Sequence, residues 1–275
     1  MALKSDKEIA LMRRAGLLLW EAHQVAADLV RSGITTAEID AAVEGYLLAH
    51  HAVPLFKGQR IGDNMPFPAT TCISVNEEVV HGIPGLRVLK EGDVVSVDLG
   101  CRLNGWCADA AVTHAVGVIG PQQQRLLGVT EEALRLAITL MGQRSRWSEV
   151  ARELEQFITG AGFGVVKGLA GHGIGRELWE PPQAPNFYSR DYERYGDFRL
   201  EPGIVVAVEP MVTQGRDRVR VLPDGWTIVT QDGLPAAHFE HTIAITRGGP
   251  QVLTAGPDGV AWATGSAHLA RYPGA

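Results

Sequence analysis

Residues 97–109 read VDLGCRLNGWCAD, and their reading decides the architecture. Val94, Val95 and Val97 form an apolar run that ends at Asp98. Asn104-Gly105 is the strongest short hairpin-turn signal, and Trp106 to Thr113 returns. A two-residue loop at Asn104-Gly105 places Asp109 opposite Gly100. Strand side chains alternate, so Gly100 shares a face with Asp98, and the two carboxylates become diagonal neighbours across a residue without a side chain. In apolar surroundings such a pair repels and raises a pKa, and a cation between them removes the conflict. Taken alone, the hairpin is more simply read as two solvated acids beside a turn. A three-residue loop would put the acids on opposite faces.

The totals narrow the classes. A chain of 275 residues with 45% hydrophobic residues can bury a substantial core. Its mean hydropathy of +0.02 is that of a soluble globular protein. A net charge of −6, without a run of Lys and Arg, speaks against general nucleic-acid affinity. Cys72, Cys101 and Cys107 are an odd number without zinc-ribbon spacing, which predicts free thiols in a reducing compartment. The start, MALKSDKEIA, lacks an apolar signal core, and no stretch is long enough to span a bilayer. A cytoplasmic protein is expected.

Along the chain, Ser5 with Glu8 makes a capping box for a helix to about Arg31, and Thr35 with Glu38 caps a second to about His50. Residues 53–68 read as a loop, TTCISV as a strand, and NEEVVHGIPG as a loop holding His81. After the acidic hairpin, helices are expected from Pro121 to about Met141 and from Trp147 to Thr159. A short strand is expected near Val165, and GLAGHGIGRELWEPP reads as a glycine-rich turn. Ile204 to Glu209 is a buried strand, Arg218 to Val221 and Trp226 to Val229 form a hairpin, and His238 to Thr246 is the last strand. A tail after Gly248 is expected to be weakly structured. Strands that come in hairpins predict an α+β domain with mostly antiparallel strands. A single domain is expected over 1–275, with a core at roughly 5–247 and a C-terminal tail at 248–275.

Three further residues join Asp98 and Asp109 as candidate ligands. His172 sits in Ala-Gly-His-Gly-Ile-Gly, Glu209 ends Ile-Val-Val-Ala-Val, and Glu240 alternates with Phe239 and His241 in an apolar strand. An acid in a buried strand is costly unless paired or metal-bound. Four carboxylates and one imidazole carry more negative charge than one divalent cation balances, so two bridged cations fit better, and such a pair does hydrolase chemistry. The run 171–175 is spaced differently from a dinucleotide-binding fingerprint. Each signal is weak alone: a strand-end Glu is more often solvated or salt-bridged, and His172 serves a structural turn as readily as a ligand role.

Together these segments resemble the type I methionine aminopeptidases of the pita-bread metallopeptidase superfamily. The resemblance is carried by SVNEEVVHGIPGLRVLKEGDVVSVDLG, AGHGIGRE, AVEPMV, DGWTIVT and FEHTIAIT, in that order. It implies a pita-bread (creatinase/aminopeptidase-like) fold, α+β, with a curved, mostly antiparallel sheet covered on its outer face by helices and built of pseudo-two-fold halves. It implies two divalent metal ions (Mn, Fe, Co or Zn) on Asp98, Asp109, His172, Glu209 and Glu240. Asp109 and Glu240 would bridge them. Glu209 would also be the base for a metal-bridging hydroxide, and His81 would contact the scissile amide. The implied substrates are N-termini of nascent polypeptides or peptides, with transient ribosome proximity, no membrane, no specific nucleic acid and a monomeric protein.

Two departures stand out. Where the family has a second active-site histidine, this chain has Trp179. An indole N–H can donate a hydrogen bond but carries no titrating proton. The loop 55–66 is also longer than in bacterial members. Phe67, Met211 and Trp226 match pocket positions, Leu178 is an apolar replacement, Met65 is a further contributor, and His238 stands where a glutamine is usual. An apolar first residue such as methionine is expected. A relative with Xaa-Pro preference, or a metal-binding relative impaired by Trp179, are the alternatives.

Overall fold

The computed structural model describes residues 2–60, 62 and 65–259. Its helices are α1 (Asp6–Leu29), α2 (Thr36–Ala49), α3 (Pro121–Met141), α4 (Trp147–Gly160) and α5 (Arg190–Tyr195). The first strands are β1 (Val53–Pro54), β2 (Thr71–Val75), β3 (Glu78–Val80), β4 (Val94–Leu103) and β5 (Trp106–Ala115). Then follow β6 (Gly164–Val165), β7 (Gly171–Gly173), β8 (Glu180–Ala184), β9 (Val205–Val208) and β10 (Met211–Thr213). The last are β11 (Val219–Val221), β12 (Ile228–Thr230), β13 (Ala236–His238), β14 (Glu240–Thr246) and β15 (Gly249–Val252).

Local chemistry starts the first two helices as expected. Ser5 accepts from the Glu8 amide while the Glu8 carboxylate accepts from the Ser5 amide, and Thr35 and Glu38 repeat the arrangement. The hairpin turn is a two-residue loop. Asn104 (φ 51°) and Gly105 (φ 78°) both take positive φ, and Leu103 faces Trp106. That register sets Gly100 opposite Asp109 and Asp98 opposite Ala111.

The main sheet has nine strands, all of its pairs antiparallel, in the order β1-β4-β5-β14-β9-β7-β8, with β2 beside β4 and β15 beside β14. Two small sheets, β13-β10-β6 and β11-β12-β3, flank it. Alternation sorts the two faces. Val95, Val97, Leu99 and Cys101 of β4 and Ala108, Ala110 and Val112 of β5 join Leu19 and Ala22 of α1 and Leu126 and Leu134 of α3 in one apolar core. The helices therefore cover that face. Asp98, Gly100, Asp109 and Ala111 fall on the other.

Three expectations are corrected. The glycine-rich stretch is an edge pair, β7 with β8, in which the register shifts between His172 and Gly173. A side chain at Gly173 would crowd the carbonyls of Glu180 and Pro181, so the glycine permits this close approach. The last strand is two strands: β13 pairs with β10 while β14 pairs with β5 and β9, and the chain changes sheets at Phe239. The Thr113 hydroxyl bridges the change, donating to the His238 carbonyl and accepting from its amide, each at 2.8 Å. Finally, residues after Gly248 begin with β15, and the chain continues against α1. Arg13 donates to the carbonyls of Leu253, Ala255 and Gly256, and a side chain at Gly16 would run into the Leu253 carbonyl. The expected tail at 260–275 lies outside the described residues. The helix α5 had no signal beyond its Ser189 cap.

Candidate metal centre and substrate pocket

The sheet order explains how distant residues meet. Asp98 is on β4, Asp109 on β5, Glu240 on β14, Glu209 immediately follows β9, and His172 is on β7; these are five consecutive strands of the sheet. Register lines them up. Asp98 and Glu240 both face Ala111, and His172 and Thr242 both face Ala207. Small residues thus occupy the middle of the row and the larger polar ones converge over them. Thr242 locks β14 to β5 by accepting from the Asp109 amide at 3.0 Å and donating to its carbonyl at 2.8 Å.

The ligand atoms are close. His172 Nε2 is 3.7 Å from Asp109 Oδ2 and 3.8 Å from Glu209 Oε1. Single ligand atoms of Asp109, His172 and Glu240 lie within 4.8 Å of one another. His238 Nε2 stands 3.9 Å from Glu209 Oε2 and 3.8 Å from Glu240 Oε2. The Nδ1 of His172 is 3.0 Å from the Gly173 carbonyl, which holds that nitrogen as the donor and turns Nε2 toward the acids.

Electrostatics mark the cluster as incomplete without a cation. Burial, and then the charges of Asp109 and Glu209, push the Asp98 carboxyl well above the carboxylate range. Burial pushes Asp109 up to about 7, and burial with neighbouring charge raises Glu209 and Glu240 as well. Burial lowers the imidazoles: His81 to about 4, His172 below its ordinary value, and His238 to about 3 with help from His81. Asp98 Oδ1, Asp109 Oδ1 and Glu240 Oε1 are buried with no hydrogen-bond partner among the described residues. Oxygens in that state are costly. A hard divalent cation would satisfy them, and neutral imidazole beside carboxylates is a suitable donor set. The residues fit the metal that the resemblance implies.

Above the acids lies a cavity of about 190 Å³. Phe67, Met211, Trp226, His81, Trp179 and His238 line it together with all five candidate ligands. Phe67 and Trp226 meet edge to face with ring centroids 5.2 Å apart, and His81 stands edge-on to Trp226 at 6.4 Å. Two expected pocket residues sit elsewhere. Leu178 is buried in the apolar cluster shared with Phe67 and Trp226 and does not line the cavity. Met65 is 76% exposed, and it takes part through its carbonyl, which accepts from Trp226 Nε1 at 2.8 Å. Of the long loop 55–66, residues 61, 63 and 64 lie outside the described residues.

Sequence reasoning missed Phe56, Gln59, Cys72, Val80, Leu169 and Ala170, which also line the cavity. Cys72 had a recoverable signal: β2 pairs with β4 and places it opposite Asp98. It also missed Asn186, a buried residue whose Nδ2 donates to the Glu209 carbonyl at 2.9 Å. Among the described residues, no helix is long and apolar enough to cross a membrane.

Comparison with known proteins agrees with this geometry. The model of metallopeptidase family M24 matches residues 10–247. A methionine aminopeptidase of Clostridium perfringens is 44% identical over 253 residues, covering 92% of this chain and 98% of that protein. Methionine aminopeptidase 1 of Bacillus subtilis is 41% identical over 251 residues, covering 91% and 98%. The crystal structure of the methionine aminopeptidase from Thermotoga maritima superposes with a TM-score of 0.85 at 39% identity, over 92% of this chain and 99% of that one. The fold is accordingly the pita-bread fold. The row of acids, the apolar cavity above it and these likenesses converge: the chain belongs to metallopeptidase family M24, among its methionine aminopeptidases.

Proposed function

We propose that this protein is a cytoplasmic, metal-dependent aminopeptidase that removes the N-terminal methionine from newly made proteins, using two divalent cations. The observation that carries the reading is the convergence of Asp98, Asp109, His172, Glu209 and Glu240 beneath a cavity lined by Phe67, Met211 and Trp226. The names of the 37–44% identical relatives support the substrate. Manganese, iron, cobalt and zinc all suit the donor set, and cellular supply selects among them.

Asp98, Asp109, His172, Glu209 and Glu240 would hold the metals. When bound, the metals supply Lewis-acid polarisation of the scissile carbonyl and lower the pKa of water. The chain's own residues do the rest. Phe67, Met211 and Trp226 enclose the first side chain and exclude water from it. Glu209, at the open end of β9, accepts the proton of the attacking water and returns it to the leaving amine. His81 is neutral at working pH, so it can offer an N–H to the scissile amide and help its nitrogen leave.

The test is hydrolysis of Met-Ala-Ser by protein stripped of metal and reloaded with manganese or cobalt. Methionine release that requires metal and disappears in Glu209→Ala is the expected result. An inert protein that still binds metal would overturn the reading. Xaa-Pro peptides serve as the competing substrates and are expected to be spared.

A further inference from the structure

A cavity of about 190 Å³ is smaller than the roughly 300–1,000 Å³ of pockets that enclose whole drug-sized ligands. It has room for the first residue of a peptide, and the remainder must leave through the mouth. The exposure of the lining residues locates that mouth. Phe67 and Met211 are each 2% exposed and Trp226 is 5% exposed, whereas Trp179 is 49% exposed. Among the described residues, Trp179 is the one exposed residue of the lining; Leu169 and Ala170, also in the lining, are half-buried.

The backbone on both sides of the indole is anchored. Leu178, before it, is buried in the apolar cluster behind the cavity wall. After it, the Glu180 carboxylate accepts from Lys4 Nζ at 2.5 Å and from the amides of Arg176 at 2.8 Å and Glu177 at 3.2 Å. Both neighbours are thus anchored, which fixes the backbone that carries the indole.

Peptide geometry says which substrate residue arrives there. In an extended chain, side chains alternate and advance about 3.3 Å per residue. If the first side chain points into the cavity, the second points away from it. The third returns to the protein side about 7 Å further along, at the mouth. We propose that Trp179 is a specificity-determining residue that receives the third side chain of the substrate and favours apolar and aromatic groups there. This inference rests on the aminopeptidase reading. Its chemistry is that of aromatic packing at a partly wet site, where an indole gains from a ring or an aliphatic chain and gains nothing from glycine.

The experiment compares Met-Ala-Phe, Met-Ala-Leu and Met-Ala-Gly as substrates of the full, metal-loaded chain. The ratio of kcat/KM for the phenylalanine peptide to that for the glycine peptide is expected to be about fivefold. The difference should reside in KM. Trp179→Ala should bring the ratio to about one, and Trp179→Phe should keep most of it. Both peptides are measured on one preparation, so inactive protein cancels from the ratio; if the alanine variant does not fold, Trp179→Gln carries the same comparison. Methionine release with a ratio near one in the wild type, or a ratio unchanged in the variant, overturns this inference alone. No methionine release from any of the peptides overturns the aminopeptidase reading and this inference together.

Discussion

Asp98 and Glu240 stand on either side of the same residue: Ala111 of β5 is the register partner of Asp98 on β4 and of Glu240 on β14. The two carboxylates belong to strands that are not neighbours, and the small, fully buried alanine between them leaves the space in which they converge.

Filling that space should empty the site. Ala111→Leu is expected to abolish metal binding, read by calorimetry or by metal content after dialysis. The cost in stability should be about 1–3 kcal/mol, the usual cost of overpacking. Metal bound at full stoichiometry in that variant would contradict the placement of Asp98 and Glu240.

The turn is a second handle on the same geometry. One glycine inserted between Asn104 and Gly105 shifts β5 by a residue against β4 and turns Asp109 toward the helices. The variant should lose metal binding. A milder change, Gly105→Ala, forces a side chain to φ 78° and should cost about 1 kcal/mol in chemical denaturation with the site intact.

The metal-free protein should have an unusual pH profile. A carboxyl whose folded pKa lies above its unfolded value takes up a proton on folding, so stability falls as pH rises between the two values. For Asp109 that window runs from 3.8 to about 7, and the raised values of Asp98, Glu209 and Glu240 act in the same direction. Buried histidines act oppositely. With His81 lowered from 6.5 to about 4 and His238 to about 3, their contribution is lost as pH falls below 6.5. Between pH 8 and 6.5 the acids decide, and Tm of the stripped protein should rise on acidification by several degrees, at about 1.4 kcal/mol per proton per pH unit at full slope. Saturating metal should flatten or reverse that trend. A stripped protein whose Tm falls steadily from pH 8 to 6.5 would show that these acids are not buried together.

Asn186 should matter more to catalysis than its distance from the cavity suggests. Its amide holds the Glu209 carbonyl at 2.9 Å, and Asn186→Ala leaves that carbonyl without its partner. The unmet carbonyl should cost roughly 1–3 kcal/mol in stability, and the loosened Glu209 should lower kcat with metal content retained. Unchanged kcat would make Asn186 a structural residue only.

Local signals were legible and distant ones were not. The hairpin could be read because an Asn-Gly turn and a two-residue alternation act over a dozen residues, and the capping boxes at Ser5 and Thr35 act over four. The sheet change at Phe239 depends on the Thr113 hydroxyl, 125 residues away, and nothing near His238 announces it. β15 is only the four residues Gly-Pro-Gln-Val, and it exists because β14 offers it an edge. Leu178 and Met65 look alike as apolar residues near the pocket. Burial sends the first behind the wall, and the second joins the site by its backbone.

Arg13 and Gly16 bind the segment 253–256 to the first helix, beyond the point where the family match ends at residue 247. A homology boundary is therefore not a folding boundary in this protein. A version cut at 247 would remove the β15 partner and expose an edge of β14, leave the Arg13 guanidinium partly buried without its three carbonyls, and bare the groove at Gly16. It would keep every candidate ligand and still make a poor soluble reagent, so a shortened chain should run at least through Gly256.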